Sequence, residues 1–317
     1  TILVSDWSSD VCSSDLLIPF LIEGVCLLSG ATTGQFMTAW SNNPSIYEIN
    51  TWVWLNTLSK KYGREIHLGN VPHPEIQELA SYHIDAVWLM GVWKRGDAPR
   101  SSALNYVHEY RGALPDIRKE DVIGSAYAIS DYQVDERIGG RKGMAIFRRQ
   151  LQTYHIRLIL DFVPNHVGMD HPWLQERPDY FITGTDDLLA SDTGNFFATK
   201  DRKGRRYVVA HGRDPYFPGW IDTAQLNAFS SEMRQAAVQT LLDIASQCDG
   251  VRCDMAMLTM DDVFLNTWGW RGVQPLPYSF WTSIIPQVKK RHEHFLFIAE
   301  TYWGLEYALH LEGFDYT

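Results

Sequence analysis

The sequence predicts an α/β chain folded as a (β/α)8 barrel, incomplete, with about strands 1 to 6 present and a small excursion after strand 3. Three observations predict it. Short apolar runs alternate with amphipathic helical segments, the pattern of parallel strands joined by helical crossovers. Several runs end in charge: DFVPNH at Asp161–His166, GVRCDMA at Gly250–Ala256 and IAETYW at Ile298–Trp303. Buried parallel strands that finish this way present reactive groups at a barrel's C-terminal rim. Finally, no glycine-rich phosphate loop follows the first strand, which disfavours an open doubly wound sheet.

Taken in order, residues 1–40 stand apart. TILVSDWSSDVCSSDL repeats a Ser-Ser-Asp unit with no helical or strand period, and LLIPFLIEGVCLLSG is too short to span a bilayer. No Lys or Arg precedes Lys60, so the basic n-region of a signal peptide is missing. These residues are expected to be a non-native or disordered leader, and a cytoplasmic location is favoured. Residues 41–317 are expected to form the barrel domain. Ile46–Leu55 reads as strand 1, His73–His83 as a helix and Asp85–Trp93 as strand 2. Gly140–His155 reads as a helix leading into strand 3, Ile156–Val167. Ser230–Gln247 has a Ser N-cap and an amphipathic pattern, and feeds strand 4, DGVRCDMAM at Asp249–Met257. Pro277–Glu293 is helical, with Pro286 implying a kink or break. Phe295–Trp303 is strand 5, a short helix follows, and GFDYT begins strand 6. Two connections, Lys94–Gly139 and 168–229, are too long for simple turns; such loops are usually functional, and the second is a long loop or small inserted domain.

Composition narrows the function. The 317 residues are 45% hydrophobic, ample for a barrel of about 250 residues. A net charge of −10 argues against nucleic acid or an anionic membrane surface as partner. Four cysteines without a Cys-x-x-Cys spacing make neither a disulfide framework nor a zinc site. The 12 Trp and 15 Tyr supply rings on which sugars stack, although most are expected in the core.

The chemistry gathers at the strand ends. Asp254 and Arg252 lie two apart, so period-two alternation puts them on one face. Beside a guanidinium, Asp254 is expected to stay ionised as a nucleophile or electrostatic stabiliser, or else to be a structural ion pair. Glu300 follows an apolar run, surroundings that raise a carboxyl pKa and suit a general acid; the alternative is a solvated rim residue. Two such carboxylates are what glycosidic cleavage uses. Asn165 and His166 end strand 3 above Asp161, and the imidazole can donate to a sugar hydroxyl. Tyr127, four residues before Asp131, can stack under a sugar ring.

Together these segments resemble the α-amylase superfamily, the family-13 glycoside hydrolases. DFVPNH looks like its strand-3 motif, GVRCDMA like the strand-4 motif and AETYW like the strand-5 motif. SAYAISDYQVDERIGG is similar to the segment bearing its stacking tyrosine. The resemblance implies a retaining α-glucoside hydrolase acting on α-glucans or maltooligosaccharides. It implies Asp254 as nucleophile, Glu300 as acid/base and Arg252 as the residue orienting the nucleophile. It also implies that Tyr127 and His166 bind the sugar at the cleavage subsite, that Asp161 supports Arg252, and that Asn165 and Asp131 support the site. A transglycosylase or isomerase like trehalose synthase, and a non-catalytic sugar-binding or scaffold homologue, are the alternatives.

Departures from the family pattern carry expectations too. The His-Asp pair bearing the third acid is not in this chain, so the 317-residue product is expected to be inactive. Asn165 matches one calcium ligand of the family, but Gln225 stands where a carboxylate ligand belongs. Met-Ala-Met-Leu after Asp254 lacks the family's Lys-His pair. Calcium prefers several carboxylate oxygens, so no calcium, other metal or cofactor is expected.

Overall fold

The computed structural model describes residues 40–112 and 114–317; apart from Trp40, the expected leader lies outside the described residues. Five strands hydrogen-bond in chain order: β1 (Ile46–Asn50), β2 (Ala86–Met90), β3 (Arg157–Phe162), β4 (Gly250–Cys253) and β5 (Leu296–Ala299). All pairings are parallel. Tyr316 adds a parallel bridge to Ile298 where strand 6 is expected, and the sheet stays open among the described residues. This is a (β/α) barrel, incomplete.

The crossovers include α1 (Thr51–Tyr62), α2 (His73–Ser81), α3 (Gly140–Gln152), α4 (Ser231–Ala245) and α5 (Phe280–Lys289). Period two sorts the strand residues into two layers. Val87, Leu89, Leu158, Leu160, Phe162, Val251 and Phe297 join the large core that includes Phe147 of α3, Leu241 of α4 and Trp281 of α5. Each such side chain contributes about 1.5–3 kcal/mol through burial. On the other face Ala86, Ile159 and Leu296 form a smaller cluster with Trp88 and Ile298 packed on it. The charged strand ends sit on that face.

Several boundaries differ from the sequence expectation. Strand 1 is five residues long, because Asn50 caps a helix: its side chain accepts from Val53 N–H at 3.4 Å. The rest of the expected strand, TWVWL, is the first part of α1, which ends at Gly63 in the left-handed conformation. Strand 2 stops at Met90, and strand 3 stops at Phe162, two residues before Pro164, which has no N–H for a ladder. His166–Gly168 is a separate strand, antiparallel to Thr223–Gln225. Helix α5 runs through Pro286 without a break, since the ring's fixed φ is itself helical and only one hydrogen bond is forfeited.

The long connections are structured. In the first, Trp93–Arg95 pairs antiparallel with Ile129–Val134, and Asp97–Leu104 is helical. The second forms a three-stranded antiparallel sheet with Arg206–Ala210 between Thr183–Gly184 and Phe196–Lys200. Its Ile182, Phe196 and Val209 belong to the same continuous core as the barrel.

Candidate active site

Parallel register sets Asp161 of β3 level with Arg252 of β4, and Arg252 level with Ile298 of β5. Asp254 and Glu300 follow β4 and β5 directly, so three carboxylates from adjacent strands surround one guanidinium. Arg252 Nη1 lies 2.9 Å from Asp254 Oδ1 and 3.6 Å from Asp161 Oδ1, while Nη2 lies 2.6 Å from Glu300 Oε2. The guanidinium carbon is 5.0 Å from the Trp88 ring centre and 5.1 Å from that of Tyr127. Asp161 is further held by Trp88 Nε1–H and Gly91 N–H, each donating at 3.0 Å.

Burial dominates the electrostatics. It pushes Asp254 up to about 7 despite the pull of Arg252, with Glu300 adding to the rise. It pushes Asp161 up to about 6, again opposed by Arg252. Burial lowers Arg252, but Asp254, Tyr127, Glu300 and Asp161 together hold it above its ordinary value. The Tyr127 hydroxyl is raised, mainly by burial. Asp254 therefore titrates near neutrality. The sequence expectation of a simply ionised Asp254 is corrected, because desolvation at 4% exposure outweighs the neighbouring cation.

Glu300 needs a second correction. Its carboxylate does not stand in an apolar pocket. It accepts from Arg252, from Met255 N–H at 2.8 Å and from Tyr302 O–H at 3.3 Å. The apolar run is β5 itself; past Ala299 the chain leaves the strand and the side chain reaches the polar rim. Met255 is held in the left-handed region at φ 45, uncommon for a non-glycine residue, and this turn aims its N–H at Glu300.

Three other expected residues make their contacts outside the Arg252 cluster. His166 is 4% exposed, its ring is 5.1 Å from that of Trp220, and burial pushes it down to about 3, so it is neutral. Asp131 lies in the cavity between Ile129–Val134 and α4, with Asp243, Arg141 and Gln247. Its carboxyl is raised by burial and feels Lys94, not Arg252, so the expectation that it supports the catalytic cluster is corrected. The reason is alternation: Tyr132, its neighbour, turns inward to donate to Val163 C=O, which sends Asp131 to the other face.

Asn165 is engaged by Gln225. Gln225 Nε2–H donates to the Asn165 carbonyl and to Asn165 Oδ1, both at 2.9 Å, and to Leu226 C=O at 3.0 Å. Gln225 Oε1 accepts from Arg213 N–H at 3.2 Å. Both side chains are fully buried. The oxygen a cation would use thus already accepts an amide N–H, and Gln225 brings no carboxylate. The residues present do not fit calcium at this position. Among the described residues, no group of three or more His, Cys, Asp or Glu is arranged to hold a metal.

Sequence reasoning missed Trp88. Its signal was available: on β2 it shares a face with Ala86, one layer below the charges. Only long-range register reveals that it stacks on Arg252 and bonds Asp161.

Comparison with known proteins agrees with this architecture. A family model described as "Alpha amylase, catalytic domain" matches residues 75–308. No curated protein matched the chain. Among solved structures, an alpha-amylase from Lactobacillus plantarum superposes with a TM-score of 0.53 at 20% identity, over 86% of this chain and 49% of that one. An alpha-amylase from H. orenii gives 0.52 at 15% identity, over 87% and 51%. An alpha-glucosyl transfer enzyme, XgtA, gives 0.55 at 16% identity, over 84% and 50%. At these identities the likeness is one of fold, and the chain spans about half the length of the structures it matches. Among the described residues no helix is long and apolar enough to cross a membrane.

Proposed function

This chain belongs to the alpha-amylase catalytic-domain family, and from that premise we propose that it carries the cleavage site of a retaining α-glucoside hydrolase acting on α-glucans or maltooligosaccharides. Asp254 is the nucleophile, Glu300 the acid/base and Arg252 the orienting cation. Tyr127 and His166 contact the sugar, and Asp161 steadies Arg252. One observation carries the reading: a single guanidinium holds both carboxylates, one on each terminal nitrogen. That arrangement favours the close spacing of retention, about 5–5.5 Å, over the wider gap of about 6.5–9.5 Å that leaves room for a water.

In the cycle, Glu300 protonates the leaving glycosidic oxygen while Asp254 attacks the anomeric carbon, forming a glycosyl ester. Glu300 then takes the proton of the incoming hydroxyl as the ester breaks. In the free chain Glu300 is bound to Arg252 and Asp254 titrates near neutrality, so the working arrangement needs the proton on Glu300 and the full grip of Arg252 on Asp254. A substrate oxygen inserted beside Glu300 would replace Arg252 as its partner. The neutral His166 suits a donor to an uncharged hydroxyl.

A sugar acceptor in place of water is the second reading. The exposed rings of Tyr216 and Trp303, 5.0 Å apart, stand three residues from Glu300 in sequence on the Trp303 side and favour it. We propose further that the site works without calcium, since Gln225 fills the position a cation would need.

Trapping tests the main reading. An activated fluoroglucosyl fluoride should add one glycosyl unit to the Asp254 peptide by mass, and Asp254→Asn should abolish the adduct. An adduct that persists in Asp254→Asn, or maps to another peptide, would overturn it.

A further inference from the structure

A cavity of about 280 Å³ opens between the segments 94–100 and 133–137 and shares no lining residue with the Arg252 cluster. Four cations line it: Lys94, Arg95, Arg100 and Arg137. One of them is already answered, because Arg137 Nη2 donates to Asp135 Oδ2 at 2.6 Å and its Nε to Asp135 Oδ1 at 2.9 Å. The other three make no ion pair among the described residues.

Arg95 is the unusual member. Its terminal nitrogens donate only to main-chain carbonyls, Nη1 to Gly124 at 3.1 Å and Nη2 to Gly91 at 3.2 Å. Its Nε–H is buried with no acceptor at all. The guanidinium carbon lies 5.4 Å from the Trp52 ring centre, a contact that attracts a cation without neutralising it. Burial pushes Arg95 down to about 10, with Asp135 opposing. Arg100 repeats the pattern: Nε donates to Val122 C=O at 2.8 Å and Nη2 to Lys119 C=O at 3.1 Å. Carbonyl oxygens thus fix both guanidinium groups in place while leaving their charges whole. That is preorganisation for an anion, since the side chains are ordered before it arrives.

We propose that this cavity binds a small dianionic oxyanion of the phosphate type, either the free ion or the phosphoryl end of a small ester, with Arg95, Arg100 and Lys94 as its cations. Guanidinium forks match phosphate oxygens, and a single carboxylate would answer only one of three charges. The volume sits just below the range of small-molecule sites, about 300–1,000 Å³, and so suits a phosphoryl group better than a large ligand. Exposed Asp97 and Glu136 in the same walls, and a net charge of −10, repel a polyanion. The site is independent of the α-glucan reading above.

Calorimetric titration of the full chain with sodium phosphate, and separately with glycerol 3-phosphate as the ester probe, tests it at constant ionic strength. At least one probe should saturate, and the probe that binds should raise Tm as a ligand of the folded state does. Lys94→Gln and Arg100→Gln, with folding checked by circular dichroism, should each weaken binding about threefold or more. Asp97→Asn should tighten it, a gain that damage to the fold cannot produce. Tighter binding of the ester assigns the site to esters and tighter binding of phosphate assigns it to the free ion; either upholds the oxyanion site. No saturable binding of either probe, or an affinity that none of the three variants changes, overturns it. So does a Tm rise matched by chloride at equal ionic strength, which is screening alone.

Discussion

Asp254→Asn keeps the shape of a buried side chain and deletes its charge. In the folded chain Asp254 holds its proton up to about 7 and Asp161 up to about 6, whereas both release it in the unfolded chain near the ordinary carboxylate value. A group whose folded pKa is raised gives stability that is complete at low pH and lost as pH climbs through the folded value. Each aspartate therefore costs the fold about 1.4 kcal/mol per pH unit over its own window. From the ordinary carboxylate range to about 6 both contribute; between about 6 and 7 Asp254 acts alone. Its full cost at alkaline pH is on the order of 2–4 kcal/mol. Asparagine mimics the protonated acid and still accepts from Arg252. The variant should match the parent near pH 4 and exceed it near pH 8 by that amount, worth about 2–4 °C in Tm per kcal/mol. Urea unfolding followed by tryptophan fluorescence across this range measures it. A parent whose stability is level or rising with pH, or a variant weaker than the parent at the alkaline end, would refute the reasoning.

Two more outcomes follow from the neighbouring clasp. Chelator should leave the parent's Tm unchanged, while Gln225→Glu, which removes the donors to Asn165 and buries a carboxylate, should cost about 3 kcal/mol or more and regain part of that on calcium addition. Differential scanning calorimetry with and without calcium reads both, and a parent melt lowered by chelator would contradict the amide clasp. Gly212→Ala would set a Cβ 2.8 Å from His166 Cβ and 2.7 Å from Thr223 Oγ1. It should cost about 1–3 kcal/mol and weaken maltose binding together; unchanged values of both would show that His166 has room to move.

How far the sequence spoke depended on the range of the interaction. Parallel strands with charged ends were legible because apolar runs and period-two alternation are local, as was the Ser230 cap, whose side chain accepts from Met233 N–H at 3.3 Å. The cap at Asn50 was just as local but was hidden by aromatic residues that suit a strand equally well. Asp131 and Trp88 were not legible. Their positions depend on which strand pairs with which, and no short window contains that pairing. The surroundings of Glu300 were misjudged for a related reason: its apolar neighbours in sequence are not its neighbours in space.

The level alignment of Asp161 with Arg252 has one more consequence. Moving β4 by one residue against β3 would turn Arg252 into the apolar layer and bring Val251 or Cys253 among the carboxylates. Asp161 and Asp254 would then lose the guanidinium they share, leaving buried acids poorly compensated at a cost on the order of several kcal/mol. Misaligned chains are therefore penalised by the very residues proposed for chemistry. The cluster acts as a gauge of strand alignment, and a chain that fails the gauge loses its reactive geometry in the same movement.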